Sequence, residues 1–430
     1  MFDVGRVMIF GTDSALAFRS AQLQHRATVF SFGLLLLAAA CCTRAQADGG
    51  SPRAEITTAN WDKGGPLSHW TYTHLSEVFP TALVRRGGAV RELPQKLRPE
   101  IGALVVDDDD PTATLDRFVA NGAVDGIIVL QHGVIVYEKY PGVGVNDPHL
   151  LFSVSKALVA TTLALLEDEG QIDLAKPVEA YLPELKPSAW AGTPLRDVAD
   201  MRSGMEGEEQ GNDAYRNPAQ NAFQLEATLG RQLRTAAGLN EATRHGDLLG
   251  FLASIKRVHP AGSARAYNSS NTALIGEVIA RVTHQSLADA ISQRIWSRIG
   301  AEHDALLAEN ERGYPVAHAG VAATLRDLAR FGLLFTKPRA GDPHAVLPER
   351  ILQRMFQARG AAPDDHGLLP QTYQWDLLSA QGELAKGGWA GQLLYVNREK
   401  DVVVAWLGTN KTGDPPLEAL PCRMIAKALD

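Results

Sequence analysis

The sequence predicts an α+β fold, in which an antiparallel sheet built from two β-hairpins is flanked by helices from both ends of the chain and a helical region is inserted between the hairpins. Three observations carry this expectation. Gly126-Ile-Ile-Val-Leu130, the turn Gln131-His132-Gly133 and Val134-Ile-Val-Tyr-Glu138 have the pattern of a hairpin. So do Gln392-Leu-Leu-Tyr-Val396, the turn Asn397-Arg-Glu-Lys400 and Val402-Val-Val-Ala-Trp-Leu407. Between them, Phe152 to Glu169 is apolar on nearly every face and stops at Gly170, the pattern of a helix buried in the middle of a fold.

A chain of 430 residues has room for a large core, equivalent to two or three units of about 150 residues. With 45% hydrophobic and 21% charged residues, it falls outside the collagen-like, disordered and multi-span membrane classes. A net charge of -7 offers no broad basic field for a phosphate backbone, so nucleic acid is not an expected partner.

The N-terminus reads as a targeting segment over residues 1–47. An uncharged run from Ala27 to Ala40 follows Arg19 and Arg26, and is shorter than the roughly 20 residues a membrane span needs. Ala45-Gln46-Ala47 supplies a small-x-small site, with cleavage expected before Asp48 and export to the periplasm or medium as the consequence. The alternatives are an uncleaved anchor and lipid attachment at Cys41 or Cys42. Against the second stands Ala38, where a lipoprotein signal has Leu. Of the three cysteines only Cys422 would remain, as a small buried residue on a C-terminal helix.

Residues 48–111 are rich in Gly, Pro and charge, with Trp61, Trp70, Tyr72 and Phe79 spaced irregularly, which suggests an extended arm wrapped over a body formed by residues 112–430. Asp107 to Asp110 lack the spacers and turn glycine of a Ca²⁺ loop and read as a charge cluster at the start of a helix over 112–121. After the buried helix, the helical insert of about 190–310 is punctuated by Pro194 and Pro218, with Gly204, Gly207 and Gly211 in one flexible stretch. Thr324-Leu-Arg-Asp327 is a capping box, and a helix from about Leu417 follows the last hairpin.

Twelve histidines show no metal-site spacing, the Gly-Lys of a phosphate loop is absent, and so is the G-x-S-x-G elbow. What remains is Ser153-Val154-Ser155-Lys156. With 12 lysines, about one chance S-x-x-K is expected, so context decides. Ser153 opens a buried helix, where the positive end of the dipole favours a developing negative charge. Lys156 lies three residues on, on the same face, and burial lowers its pKa toward that of a base. Tyr267-Asn268-Ser269-Ser270-Asn271 places a phenol at a loop-to-helix junction, able to carry a proton if neighbouring cations lower its pKa. Lys386-Gly387-Gly388-Trp389 precedes the last hairpin, where glycines let a substrate approach the strand edge.

In this order the three pieces resemble the serine β-lactamase and DD-peptidase superfamily, whose elements are S-x-x-K, Y-x-N or Y-x-S, and K-T-G or a variant. The resemblance covers most of 112–430. It is strongest to the class C-like branch, with the layout of 6-aminohexanoate-dimer hydrolases and related esterases, where the third motif runs G-x-x-G-Q, here Gly388-Trp-Ala-Gly391-Gln392. The resemblance implies a β-lactamase/transpeptidase-like fold with the site in a cleft, Ser153 as nucleophile, and Lys156 with Tyr267 moving its proton. It also implies backbone N–H groups of Ser153 and Trp389 at the oxyanion, and Lys386, Gly388 and Ser269 beside the substrate. Tyr215, in the stretch Gly204 to Pro218, is a candidate lid residue. No metal or organic cofactor is implied. The expected partner is a small-molecule amide or ester.

Two departures bear on substrate. Ser269 stands where class C lactamases have an Asn that binds the lactam side-chain amide, and Gly387 removes the hydroxyl of K-T-G. Both point away from efficient β-lactam hydrolysis. A literal K-T-G at Lys411-Thr412-Gly413 is rejected, because too little chain follows it for the two further strands that the fold requires. The alternatives to an amide or ester hydrolase are a D-alanyl-D-alanine carboxypeptidase, a weak β-lactamase, and a catalytically silent module that binds cell-wall peptide or protein.

Overall fold

The two hairpins read as continuous apolar runs rather than alternating ones because both faces of their sheet are covered. In the computed structural model, β2 (Val124–Gln131) and β3 (Val134–Lys139) form the first hairpin, and β9 (Gln392–Asn397) and β10 (Val402–Gly408) form the last. They join through β2 and β10, with Val404 opposite Val129, and β8 (Glu383–Gly388) and β7 (Leu377–Leu378) extend the other edge. The resulting antiparallel order is β3-β2-β10-β9-β8-β7.

The structure describes residues 51–429 except 58–59, 108–109, 121–123, 210–247, 311, 339–340, 357–368 and 411–418. The targeting segment, Asp108, Asp109, Tyr215 and Lys411-Thr412-Gly413 therefore lie outside the described residues.

Side chains alternate between two apolar layers with the two-residue period of a strand. Ile128, Leu130, Leu394, Val403 and Ala405 enter the larger core, which includes Leu325 and Leu328 of the helix Leu325–Gly332. Ile127, Val129, Leu393, Val404 and Trp406 enter a second layer with Ile101, Leu115 and Val119, closed by Cys422, Ile425 and Leu429 near the C-terminus. Cys422 is fully buried there. The capping box closes as expected: Thr324 accepts from the Asp327 N–H at 3.2 Å.

The buried helix, α-helical over Ser155–Asp168, has every residue from Ser155 to Leu166 buried. That includes Lys156, the one charged side chain in the stretch. It is entered through a 3₁₀ turn at Phe152–Val154, and its first turn has no side-chain cap. Ser153 thus lies within that turn, two residues before the α-helix begins, and does not cap it.

Two features depart from the sequence expectations. A second antiparallel sheet, β1-β5-β6-β4, is formed by Thr81–Val84, Ala305–Ala308, Val321–Ala323 and His149–Leu150. Its strands are two to four residues long, too short for alternation to reveal. The insert consequently ends in a strand. The arm is also not simply extended: Gly65–Thr73 is helical, started by Gly64 at φ 77° and a proline in the first turn. A glycine tolerates that left-handed entry and the proline cannot oppose the first turn. Trp61, Tyr72, Leu75 and Phe79 form a third apolar cluster with Leu150, Phe152, Ala308, Val316 and Ala390. Among the described residues no helix is long and apolar enough to cross a membrane.

Candidate active site

Strand β4 delivers the chain into the turn that carries Ser153. The residue before it, Phe152, has φ 44°. A bulky residue in the left-handed region costs about 1–2 kcal/mol, so the packing around Phe152 must hold it there. Ser153 itself is partly exposed, while Lys156 is fully buried below it. Lys156 Nζ lies 2.8 Å from Ser153 Oγ and donates to the His318 carbonyl at 3.0 Å. Burial brings the lysine pKa down to about 7, Lys386 pushes in the same direction, and Glu209 and Asp376 oppose it. At neutral pH a large fraction of Lys156 is therefore an uncharged amine in contact with a hydroxyl.

Tyr267 reaches the same point from the other side. Asn268 caps the helix Ser269–Thr283 by accepting from the Ser270 N–H at 2.9 Å, and the preceding loop is tied by Glu209 N–H to the Tyr267 carbonyl at 2.8 Å. The Tyr267 hydroxyl accepts from Lys386 Nζ at 3.1 Å. Around its ring stand Lys386 Nζ at 4.5 Å, Lys156 Nζ at 5.0 Å and the Arg265 guanidinium at 5.7 Å from the centroid. Cations placed in this way are the condition under which the phenol would carry a proton as phenolate. The pKa is instead raised well above the ordinary value, because burial and the carboxylates of Asp376 and Glu209 outweigh Ser153 and Arg265. Tyr267 is thus held as a neutral phenol, a donor rather than a phenolate.

Lys386 is fully buried on β8, where it donates to Asp376 Oδ1 at 2.7 Å; the second oxygen of Asp376 accepts from the Gly387 N–H at 3.0 Å. Burial lowers the Lys386 pKa and Asp376 holds it up. Arg265 approaches Asp376 at 3.6 Å. Gly388 is required by the protein's own backbone: a Cβ there would sit 2.6 Å from the Leu151 carbonyl oxygen and 3.2 Å from the Ser153 nitrogen. The expectation that it admits a substrate backbone gives way to closer contact with the Ser153 turn. Gln392 fixes the next turn, donating to the carbonyls of Trp389 at 3.2 Å and Gly408 at 2.7 Å.

Ser153 and Lys156 form one hydrogen-bonded pair and Tyr267 and Lys386 another, and the two meet where Lys156 Nζ lies 5.0 Å from the Tyr267 ring, with Gly388 and Trp389 beside them. Ser269 is buried to 1% exposure, and its N–H donates to Glu209 Oε1 at 2.5 Å, so it presents almost no surface to a substrate. Asp376, Glu209 and Arg265 belong to the site but are marked by no motif. Chemically, the arrangement can deprotonate a hydroxyl, supply a proton from a phenol and stabilise the charge left on it.

The sequence profile of the family described as Beta-lactamase matches residues 112–426. The chain belongs to the Beta-lactamase family. Within it, the chain is similar to 6-aminohexanoate-dimer hydrolase of Paenarthrobacter ureafaciens, 27% identical over 369 residues, which span 84% of this chain and 90% of that protein. A solved structure from Bacillus anthracis, assigned provisionally as a 6-aminohexanoate-dimer hydrolase, is 26% identical with a TM-score of 0.73, covering 87% of this chain and 97% of that one. The Beta-Lactamase/D-Alanine Carboxypeptidase of Pseudomonas syringae shares the fold at 15% identity and a TM-score of 0.51, over 73% of this chain and 96% of its own. The chain is thus a homologue of 6-aminohexanoate-dimer hydrolase in the serine hydrolase superfamily, with the β-lactamase/transpeptidase-like fold.

Proposed function

We propose that the protein is an exported serine hydrolase that cleaves a small amide or ester through an acyl-enzyme on Ser153. The observation that carries this reading is the 2.8 Å contact between Ser153 Oγ and a buried Lys156 whose pKa is lowered to about 7. Neutral Lys156 takes the Ser153 proton as Oγ attacks the substrate carbonyl. The carbonyl oxygen, now negative, is held by the backbone N–H groups of Ser153 and Trp389. Tyr267 donates its proton to the leaving nitrogen or oxygen as the C–N or C–O bond breaks, and the proton on Lys156 restores the phenol. Lys386, 3.1 Å from the Tyr267 oxygen, stabilises the charge that develops during the transfer. A water then attacks the acyl ester with the same groups acting in reverse, which releases the acid and regenerates Ser153.

A linear amide of the kind named for the Paenarthrobacter relative is the favoured substrate class, since Gly387 lacks the hydroxyl of K-T-G and the buried Ser269 offers no amide to a lactam side chain. Export is supported by the apolar run ending at Ala40 and the small-x-small site at Ala45-Gln46-Ala47. A panel of p-nitrophenyl esters, short linear amides including 6-aminohexanoate dimer, a D-alanyl-D-alanine muropeptide and nitrocefin tests the substrate assignment. Esters and linear amides are expected to give kcat/KM about 100-fold or more above nitrocefin, a difference of about 2.7 kcal/mol in transition-state binding. Nitrocefin or the muropeptide as the best substrate overturns it.

A further inference from the structure

We infer that the N-terminal arm is a positioning element of the active site, with Trp61 and Asp62 bracing the two backbone segments whose N–H groups face the substrate carbonyl. This rests on the acyl-enzyme reading above. The arm lies outside residues 112–426, which carry the family match, while the relatives that cover 84% and 87% of the chain reach into it.

Its contacts fall on the two segments that matter. Phe152, left-handed and immediately before Ser153, has its ring stacked on Trp61 at 5.9 Å and 30°. The ring also meets the edge of Tyr72 at 4.9 Å and 86°. The next arm residue, Asp62, accepts through its backbone carbonyl from the Trp389 indole N–H at 3.1 Å. Ala390, left-handed at φ 61°, is buried in the same apolar cluster as Trp61 and Phe152. Two consecutive arm residues therefore hold one segment each.

The arm is itself anchored. Trp61 packs edge-on against Phe79 at 5.5 Å, and Ser68 Oγ donates to the Asn60 carbonyl at 3.1 Å. His69 pairs with Asp125 of β2 at 3.2 Å, and Tyr72 contacts the ring of His149 on β4. Phe152 cannot relax to an ordinary φ while its ring is clamped between Trp61 and Tyr72. An oxyanion site acts only if its donors are fixed before the charge develops, and displacements near 1 Å cost about 10²-fold in rate. Trp61 and Asp62 act through Phe152 and Trp389 and touch no reacting atom, so they are positioning residues.

The test is the single-turnover acylation rate of the full chain with p-nitrophenyl acetate, alongside KM and the fraction of enzyme labelled at Ser153 by a fluorophosphonate. Trp61→Ala is expected to lower the acylation rate per labelled site by about 10-fold or more, with KM changed less than about 3-fold. Trp61→Phe, which keeps a ring to stack on Phe152, is expected to recover most of the rate. Trp389→Phe, which removes the indole N–H that bonds Asp62 and shrinks the ring while keeping the backbone N–H, is expected to fall with Trp61→Ala. Should Trp61→Ala not fold, the contrast between Trp61→Phe and Trp389→Phe carries the test. Acylation at the wild-type rate in Trp389→Phe and in any folded Trp61→Ala overturns the inference while leaving the acyl-enzyme reading intact. A wild-type enzyme that acquires no label on Ser153 overturns that reading and the inference with it.

Discussion

Ser153→Ala is expected to reduce turnover of any amide or ester substrate to background while leaving the fold unchanged. The removed oxygen is the atom in contact with Lys156 Nζ, so its loss removes the nucleophile on which the acyl-enzyme forms. The structural cost is small because the hydroxyl caps nothing: the helix Ser155–Asp168 starts without a side-chain cap, and Ser153 is partly exposed. A surface-like truncation of this kind changes stability by about 0.5 kcal/mol or less. Lys156 keeps its bond to the His318 carbonyl. The check pairs steady-state kinetics on a p-nitrophenyl ester with a thermal melt. Turnover within tenfold of wild type removes Ser153 from the mechanism.

Lys156→Ala and Tyr267→Phe are each expected to slow acylation by about 10²-fold or more, the scale of a lost general base or acid. Their pH profiles distinguish the two roles. Lys156 acts unprotonated, and burial sets its pKa at about 7. Below that pH the amine is charged, so kcat/KM falls tenfold per unit; above it the rate levels off. Tyr267 acts protonated with a pKa raised well above the ordinary phenol value, so the phenol itself causes no alkaline loss below pH about 10. Tyr267→Phe keeps the acid limb near 7 with a lower plateau, whereas Lys156→Ala removes that limb. An acid limb unchanged in Lys156→Ala assigns the base to another group, and a Tyr267→Phe enzyme altered in KM alone makes Tyr267 a binding residue.

The parts of the fold that were legible are those with enough residues to show a period. The two hairpins and the helix after Phe152 are long runs, and their joining through β2 and β10 places the first and last hairpins side by side. The second sheet was not legible, since a strand such as His149–Leu150 has only two residues. The arm was misread for a related reason. Its aromatic residues follow no period because they meet Phe152 and Ala390 rather than one continuous face.

Within the site, Ser153 and Lys156 are visible because one helical turn fixes their geometry, and Tyr267 and Lys386 because their motifs come in order. Asp376 is ten residues from Lys386 and Glu209 is 60 from Ser269, with no local pattern linking either pair. That is why the sequence leaves the direction of the Tyr267 shift open. The sequence displays cations near the phenol through familiar motifs, while the carboxylates that reverse their effect are brought in by tertiary structure. Gly388 gives the same lesson: its glycine was evident, but the backbone that excludes a side chain belongs to Leu151 and Ser153, more than 200 residues earlier.

The central claim is a covalent intermediate on Ser153, and mass spectrometry of the intact enzyme and its peptides after treatment with a fluorophosphonate tests it most directly. One adduct per chain is expected, on the peptide that contains Ser153. It should form at a rate that rises with pH through about 7, as the Lys156 amine loses its proton. No adduct, or an adduct on any other residue while turnover continues, contradicts the account.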